Sequence, residues 1–405
     1  MPSSVNFFDG AVHTIQKLRK RRPFSPRKAA LLLALWSLEK TVLGHVTGDC
    51  QEIDSEHDDH ILHVAACVRG GIGDNILSLA FLHAFADYAE CPVVFDIYTS
   101  VEDSAIRSLC YGQQRISHTH SIKMPLRKKY DLVADITRMV WFPQMNSRKI
   151  RHMSEQLWTF IKSCNEFRQG NLVSFSHEGQ RIGIDYADIR GSRRPSQMDI
   201  SDVLQLEKRE FPLQCEEPED VVCARFGISS PFITLHRESG DAGSSSMKLW
   251  PEENYRALVE ALRHRYAEAM LIFLGSEKDC EMPGCLDLRG RTSFPELKAL
   301  MKGASLHIGG EGLLPHLRHF LHGGPSVVLF GPTSSRHYGY PENINIQGKE
   351  CPEGCEWITQ TWQSKCVKGY DYCRCMAGIS VDMVMQEISG LKMAQSRCCV
   401  SGEGR

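Results

Sequence analysis

The stretch Gly309–Thr333 reads GGEGLLPHLRHFLHGGPSVVLFGPT and predicts a helix that is followed by an apolar strand. It places Glu311 and His316 around the helix start, and the strand ends in the sequence GPT. A carboxylate at the C-terminal edge of a parallel sheet can accept hydrogen bonds from both hydroxyls of a ribose. The free N–H groups at the helix N-terminus suit the diphosphate of a nucleotide. The stretch therefore indicates an enzyme that handles a nucleotide-linked substrate.

The composition allows this interpretation and excludes one broad class of protein. At 405 residues the chain is long enough for two domains with separate cores. A charged fraction of 24% and a hydrophobic fraction of 42% are typical of a soluble globular protein. The formal net charge of −2 argues against nucleic acid as a partner, because nucleic-acid binders usually carry a large basic excess.

Apolar strands alternate with helices twice along the chain, which predicts an α/β protein built from parallel βαβ units. ILHVAACV, CPVVFDIYTS and YDLVADITRM are the predicted strands of the first half, and FITLHRES, AMLIFLGS, SLHIGG and PSVVLFGPT those of the second. We expect two Rossmann-like domains that face each other across a cleft, with ligands at the carboxyl ends of the strands. The predicted segments are an N-terminal extension at 1–60, domains at 61–220 and 221–390, and a tail at 391–405.

The predicted N-terminal extension begins with a basic stretch. Residues 13–28 hold seven Lys or Arg and no acid, and they lead into the apolar run Ala29–Leu38, which is too short to span a bilayer. A signal peptide fits poorly, because the basic region starts late and no small-residue cleavage site follows. The pattern favours an amphipathic helix, which either packs on its own domain or binds an anionic membrane surface. We therefore expect a cytoplasmic protein, with attachment to the inner face of the membrane as one alternative.

Cysteine usage points to a reducing compartment and to one unusual segment. The chain holds 16 cysteines, and several, such as Cys67, lie in apolar strands where reduced thiols act as small hydrophobes. Five cysteines form the pattern C-x3-C-x10-C-x6-C-x-C within residues 351–375, here called the Cys-rich segment: Cys351, Cys355, Cys366, Cys373 and Cys375. They allow a structural zinc or another thiophilic metal, free thiols, or disulfides.

Two further motifs carry candidate chemistry. RGGIGD, from Arg69 to Asp74, follows a strand and opens a helix, but its glycine spacing does not match the dinucleotide-binding G-x-G-x-x-G. Asp74 suits either a cap of the helix start or a general base that takes a proton from an acceptor hydroxyl. Lys248 precedes Pro251, a residue that suits a first helical turn, so its ammonium either neutralises a phosphate or lies on the surface.

Taken in order, these motifs resemble those of glycosyltransferase family 9, the ADP-heptose:lipopolysaccharide heptosyltransferases. The resemblance rests on GGIGD before an apolar helix, K-x-W-P-x-E-x-Y, RGRTSFPELKALMKGASLHIGGEG with a downstream histidine, and FGPT, and spans about Ile61 to Ile388. It implies a GT-B fold and inverting transfer from a nucleotide sugar such as ADP-heptose. The implied acceptor is lipopolysaccharide or another lipid-linked or surface glycan, and the implied chemistry needs no catalytic metal.

The resemblance also assigns roles to individual residues. Asp74 matches the proposed base, and Arg69 and Gly73 would shape the acceptor loop. The residues that it assigns to the donor are Lys248 at the diphosphate, Glu311 at the ribose, and His316 near the diphosphate. Gly312 begins the helix whose dipole would stabilise the departing nucleoside diphosphate. The family commonly has D-(S/T)-G-x-x-H where this chain has EGLLPH, so Glu311 reaches one methylene further than an aspartate would.

Two functions other than glycosyl transfer are alternatives for this sequence. A non-catalytic GT-B protein would bind a nucleotide sugar or glycan without turnover, but the joint presence of Asp74, Lys248, Glu311 and His316 argues against it. A nucleotide-sugar epimerase would need a Tyr-x-x-x-Lys pair beside a glycine fingerprint, and no Tyr-x-x-x-Lys occurs in the chain.

Overall fold

The computed structural model describes residues 50–54, 59–124, 126, 130–136, 140–169, 211, 213–228, 231–237, 246–352, 354–356, 358–359 and 361–391. These fall into two compact units. The N-terminal unit holds the described residues up to Asp103, those from 113 to 211, and 358–359. The C-terminal unit holds Ser104–Gly112 and the described residues from 213 to 356 and from 361 to 391. Nearly all of the predicted N-terminal extension, and the tail from 392, lie outside the described residues.

The first half of the chain forms a six-stranded sheet. Its elements are β1 (Gln51–Glu52), β2 (Leu62–Val68), α1 (Ile72–Tyr88), β3 (Val93–Thr99), α2 (Asp103–Leu109), β4 (Ile116–Ser121), β5 (Leu132–Asp135), β6 (Trp141–Met145), α3 (Ser147–Met153) and α4 (Glu155–Gln169). The strand order is β1-β6-β5-β2-β3-β4, with only the β5–β6 pair antiparallel. An aromatic core fills one side, where Phe85 contacts Phe95, Phe142 and Phe160.

The second half forms another six-stranded sheet, in which every pairing is parallel. Its elements are α5 (Glu219–Arg225), β7 (Phe232–His236), a 3₁₀ turn (Ser246–Lys248), α6 (Glu252–Arg265), β8 (Met270–Phe273), β9 (Leu286–Asp287), α7 (Phe294–Gly303), β10 (Leu306–Gly310), α8 (Leu313–Phe320), β11 (Ser326–Phe330), α9 (Ser335–Tyr338), β12 (Ile344–Gln347), α10 (Arg374–Ala377) and α11 (Val381–Ile388). The order β12-β11-β10-β7-β8-β9 reverses direction between β7 and β10. Ligands of such sheets bind beyond the carboxyl ends of the strands at this switch point.

The predicted alternation of strands and helices is confirmed in both halves. The helix after β2 begins at Ile72, so that Gly73 and Asp74 lie in its first turn. The Asp74 carboxylate stabilises this helix start, because it accepts a hydrogen bond from the Gly71 N–H at the cap position. No helix in the described part of the chain is long and apolar enough to cross a membrane.

A buried lysine ties together three segments of the C-terminal unit. Lys298 on α7 is fully buried, and its ammonium pairs with Glu216 at 2.6 Å. The same ammonium donates to the carbonyls of Ser108 at 2.6 Å and Gln214 at 2.7 Å. Burial lowers the pKa of Lys298, and Glu216 partly offsets that effect. The ammonium therefore joins α2 and the segment before α5 to α7.

We expect Lys298→Met to lower the free energy of unfolding by about 3–5 kcal/mol, because removing one partner leaves a largely buried carboxylate and two carbonyls without their cation. Lys302 is the matched control, since it lies on the same helix and pairs with Glu219 at 3.0 Å, but is one-third exposed. Lys302→Met should cost at most about 1 kcal/mol. Urea denaturation measures both variants, and equal losses would contradict the role given to Lys298.

Candidate functional site

A close ion pair lies at the switch point of the C-terminal sheet. Lys248 ends the 3₁₀ turn in the connection after β7, and Glu311 directly follows β10. Because β7 and β10 are parallel neighbours, the chain leaves both strands at the same edge of the sheet. The Lys248 Nζ and Glu311 Oε2 atoms are 2.5 Å apart, and the two side chains are only 15% and 11% exposed. The structure thus brings together the two residues that sequence reasoning assigned to the diphosphate and the ribose.

Glu311 is held in its ionised form. Burial by itself would raise the pKa of Glu311, but the charge and hydrogen bond of Lys248 and the charge of His316 outweigh it, so the pKa lies below its ordinary value of 4.5. An ionised carboxylate accepts hydrogen bonds through both oxygens and donates none. At neutral pH Glu311 can therefore accept hydrogen bonds from two adjacent hydroxyls.

The start of α8 adds a second electropositive feature beside Glu311. Gly312 is the cap residue and α8 begins at Leu313, so the partial positive charge of the helix start lies beside Glu311. His316 is buried, and its Nδ1 lies 2.8 Å from the Tyr340 hydroxyl. Tyr340 in turn stacks on His319 with ring centroids 3.7 Å apart. The helix start and the His316 ring are therefore fixed in place next to the ion pair.

The Cys-rich segment gathers some of its predicted ligands. Cys351, Cys355 and Cys375 are buried, whereas Cys366 and Cys373 are partly exposed. The Cys375 thiol contacts those of Cys351 and Cys373, and these contacts raise its pKa, while the contact with Cys375 lowers the pKa of Cys373. Among the described residues, no group of three or more His, Cys, Asp or Glu side chains is arranged to hold a metal ion. Three of the five thiols therefore lie together, without a preformed metal site.

The glycine turn of the N-terminal unit holds Asp74 at the surface. Its Oδ2 atom accepts a 2.8 Å hydrogen bond from the Gly71 N–H, so the helix-cap alternative is realised in this structure. Gly70 has φ +102°, and a Cβ there would lie 2.4 Å from Oδ2, so only glycine fits this turn. The predicted acceptor-loop residues flank it, with Arg69 exposed and Gly73 in the first helical turn.

Sequence reasoning missed the residue that anchors this turn. Asn75 is fully buried, donates to the Gly71 carbonyl at 2.9 Å, and accepts from the Thr99 hydroxyl at 2.7 Å. The only sequence signal was an amide directly after Asp74, at a position where the helical pattern calls for an apolar residue. Asn75 therefore ties the turn that carries Asp74 to the end of β3.

Part of the chain matches a known protein family. Residues 204–361 match the sequence model of Glycosyltransferase family 9 (heptosyltransferase). A curated relative, lipopolysaccharide heptosyltransferase 3 of Escherichia coli, is 32% identical over 97 residues, which is 21% of this chain and 28% of the relative's length. The chain thus matches less than a third of that relative.

Three solved structures share the fold over most of the chain, each at 13% identity. A glycosyl transferase family 9 protein from Veillonella parvula has a TM-score of 0.52 over 81% of this chain and 96% of its own. The iron-containing dodecameric glycosyltransferase TibC from enterotoxigenic E. coli has 0.53 over 81% and 77%. The dodecameric iron-containing heptosyltransferase TibC in complex with ADP-D-β-D-heptose has 0.50 over 82% and 76%.

Two Rossmann-like units, the second with a charged site at its switch point, define a protein of the GT-B class. The predicted α/β fold is confirmed, and the predicted N-terminal helical extension lies outside the described residues. The predicted resemblance to glycosyltransferase family 9 is confirmed as well, over residues 204–361. The predicted enzyme class, a glycosyltransferase, agrees with this match.

The lowered pKa of Glu311 sets a pH window for stability. The pKa of Glu311 in the folded protein lies below 4.5, so ionised Glu311 stabilises the fold at pH values above 4.5. This stabilisation is lost as the pH falls through the pKa that Glu311 has in the folded protein. We expect Glu311→Gln to lower the free energy of unfolding by about 1.5–3 kcal/mol at pH 7, the range for hydrogen bonds to charged groups. The deficit should shrink as the pH is lowered below 4.5.

Denaturation from pH 3 to pH 7 measures this difference. The control is Glu260→Gln, which changes an exposed glutamate on α6 and should follow the wild type throughout. A deficit of Glu311→Gln that is the same at every pH would show that the ionised pair does not produce it.

Proposed function

We propose that this protein is an inverting glycosyltransferase that moves a heptose-like sugar from a nucleotide-diphosphate donor to a lipopolysaccharide or other surface-glycan acceptor. The observation that carries the proposal is the Lys248–Glu311 pair at the switch point of a family 9 domain. The name of the curated relative and the ADP-D-β-D-heptose bound by TibC support a heptose nucleotide as the donor.

The donor would bind across the ion pair and the start of α8. The ionised Glu311 carboxylate would accept hydrogen bonds from the two ribose hydroxyls. The Lys248 ammonium would exchange Glu311 for the diphosphate, which also meets the partial positive charge at the start of α8. His316, held by Tyr340, would border the diphosphate.

Transfer would begin at Asp74 in the N-terminal unit. Its carboxylate would take the proton of an acceptor hydroxyl, and the oxygen would attack the anomeric carbon of the donor sugar. The bond between that carbon and the diphosphate oxygen breaks, and the nucleoside diphosphate leaves with the electron pair. Lys248 and the α8 start would stabilise the departing charge, so this route requires no catalytic metal. Attack from the side opposite the leaving group inverts the anomeric centre.

Asp74→Asn tests the base. The amide oxygen can still accept the Gly71 hydrogen bond, but the amide cannot take a proton, so turnover should fall by about 10²–10⁴ while donor affinity stays unchanged. The control is Asp220→Asn, which also removes an exposed acid from the first turn of a helix, α5. Release of nucleoside diphosphate measures turnover, and a rate near that of the wild type for Asp74→Asn would overturn the assignment.

Lys248→Ala and Glu311→Ala test the donor site. Each removes one charge-assisted contact, worth roughly 1.5–3 kcal/mol, so each should weaken nucleoside diphosphate binding by about 10- to 150-fold. Glu260→Ala on α6 is the control and should bind like the wild type. Unchanged calorimetric affinity in both variants would place the nucleotide elsewhere on the protein.

A structural zinc or another thiophilic metal in the Cys-rich segment would take no part in transfer, and it would have to draw the thiols closer together, because no described group is arranged to hold a metal ion. The contacts of Cys375 with Cys351 and Cys373 fit this role, since thiolates are soft ligands, and TibC is described as iron-containing. Protein purified under reducing conditions should contain the metal, and its removal should lower thermal stability. Elemental analysis that finds less than about 0.1 metal per chain would favour free thiols instead.

A non-catalytic binding protein is the competing function, and turnover separates the two. Such a protein would retain a nucleotide sugar without releasing nucleoside diphosphate.

A lipid-linked acceptor would bring the enzyme to the cytoplasmic face of the membrane, where the basic residues 13–28 would face anionic lipids.

A further inference from the structure

We propose that the Cys-rich segment forms one wall of the donor site, and that Trp362 is a positioning residue for Lys248. This inference rests on the proposed function, because it assumes that Lys248 binds the donor diphosphate. It goes beyond a purely structural role for the segment, since the segment contacts Lys248 of the donor site itself.

The first contact joins the Cys-rich segment to Lys248. Trp362 is 3% exposed, and the Lys248 ammonium lies 5.5 Å from the centroid of its ring. The neighbouring carbonyl of Gln363 accepts a 2.9 Å hydrogen bond from the Met247 N–H. The face of an indole attracts a cation electrostatically. The segment therefore holds both the backbone before Lys248 and the ammonium at the end of its side chain.

The second contact joins the segment to the loop that follows β11. The N–H groups of Cys355 and Glu356 both donate to the Pro332 carbonyl, at 2.6 and 3.0 Å. Gly354 has φ +69°, and a Cβ there would lie 2.8 Å from the same carbonyl oxygen and 2.9 Å from the Ser334 nitrogen. Backbone thus packs directly on backbone, so a displacement of the turn at Gly354 must move the loop at Pro332.

The third contact lies at the C-terminal end of the Cys-rich segment. A Cβ on Gly331 would lie 2.6 Å from Met376 and 3.5 Å from the Cys373 sulfur, so the start of the FGPT loop rests against this end. The Gln347 amide donates to the carbonyls of Gly331 and Thr333, at 3.1 and 3.2 Å. The FGPT loop after β11 is therefore in contact with both the Cys-rich segment and β12.

The thiols close the stretch of chain that carries Trp362. Cys351 lies before Trp362 in the sequence and Cys375 after it, and their thiols are in contact. Joining the two ends restricts the conformations open to the stretch between them. The thiol contacts thereby help to fix the ring of Trp362 over Lys248 while the ammonium changes partner from Glu311 to the diphosphate.

ADP affinity, measured by calorimetry on the full chain, tests this role. Trp362→Leu should weaken ADP binding by about 2- to 30-fold, the span that corresponds to a cation held over an indole. Trp362→Phe keeps an aromatic face and should recover part of the loss. Trp158→Leu is the matched control. Trp158 lies on α4 in the N-terminal unit, and the Arg151 guanidinium lies 4.9 Å from the centroid of its ring. The ADP affinity of this variant should be unchanged.

A double-mutant cycle separates positioning from general damage to the fold. If Trp362 acts through the ammonium, Trp362→Leu should have no further effect on ADP affinity in a Lys248→Ala background. An equal loss in both backgrounds would overturn the inference, as would unchanged affinity in Trp362→Leu. If Trp362→Leu fails to fold, the same cycle with Trp362→Phe decides.

The outcomes also distinguish this inference from the proposed function. Wild-type ADP affinity in Lys248→Ala would overturn the donor site, and this inference with it. Weakened binding in Lys248→Ala together with unchanged binding in Trp362→Leu and Trp362→Phe would overturn the role of Trp362 alone.

Discussion

The ion pair between Lys248 and Glu311 is the interaction on which the candidate site depends. Removing two charges from water is costly, and a largely buried pair contributes little net stability to a fold. Here both charges lie at the edge of the sheet where this fold binds ligands, and the start of α8 begins beside them. The pair keeps the Glu311 carboxylate ionised and beside the Lys248 ammonium, the two groups that we propose bind the ribose hydroxyls and the diphosphate.

The surrounding structure holds this pair in place through several connections. Parallel pairing of β7 and β10 brings the two connections to one edge, Tyr340 fixes His316, and the Cys-rich segment lies against Lys248 and the loop after β11. A preorganised site of this kind can stabilise the charge of a leaving diphosphate without reorganising during the reaction. In the N-terminal unit Asn75 plays the corresponding supporting role for the turn that presents Asp74.

Much of this could be predicted from the sequence, because buried parallel strands form unbroken apolar runs. SLHIGG and PSVVLFGPT gave β10 and β11, and Glu311 follows β10 as the motif requires. β4 was missed because its sequence, ISHTHS, is polar, and β6 was missed because its sequence, WFPQM, contains a proline. The contact of Trp362 with Lys248 joins residues that are far apart in the sequence, and no local pattern reveals such a contact. The sequence left open whether Asp74 caps a helix or acts as a general base, because a carboxylate can play either role.

A crystal structure of the wild-type protein with ADP tests the central claim most directly. If the claim is correct, the Glu311 carboxylate lies within hydrogen-bonding distance of the ribose hydroxyls. The Lys248 ammonium should also have moved from Glu311 to an oxygen of the diphosphate, at the start of α8. ADP bound elsewhere, with the Lys248–Glu311 pair intact, would contradict it.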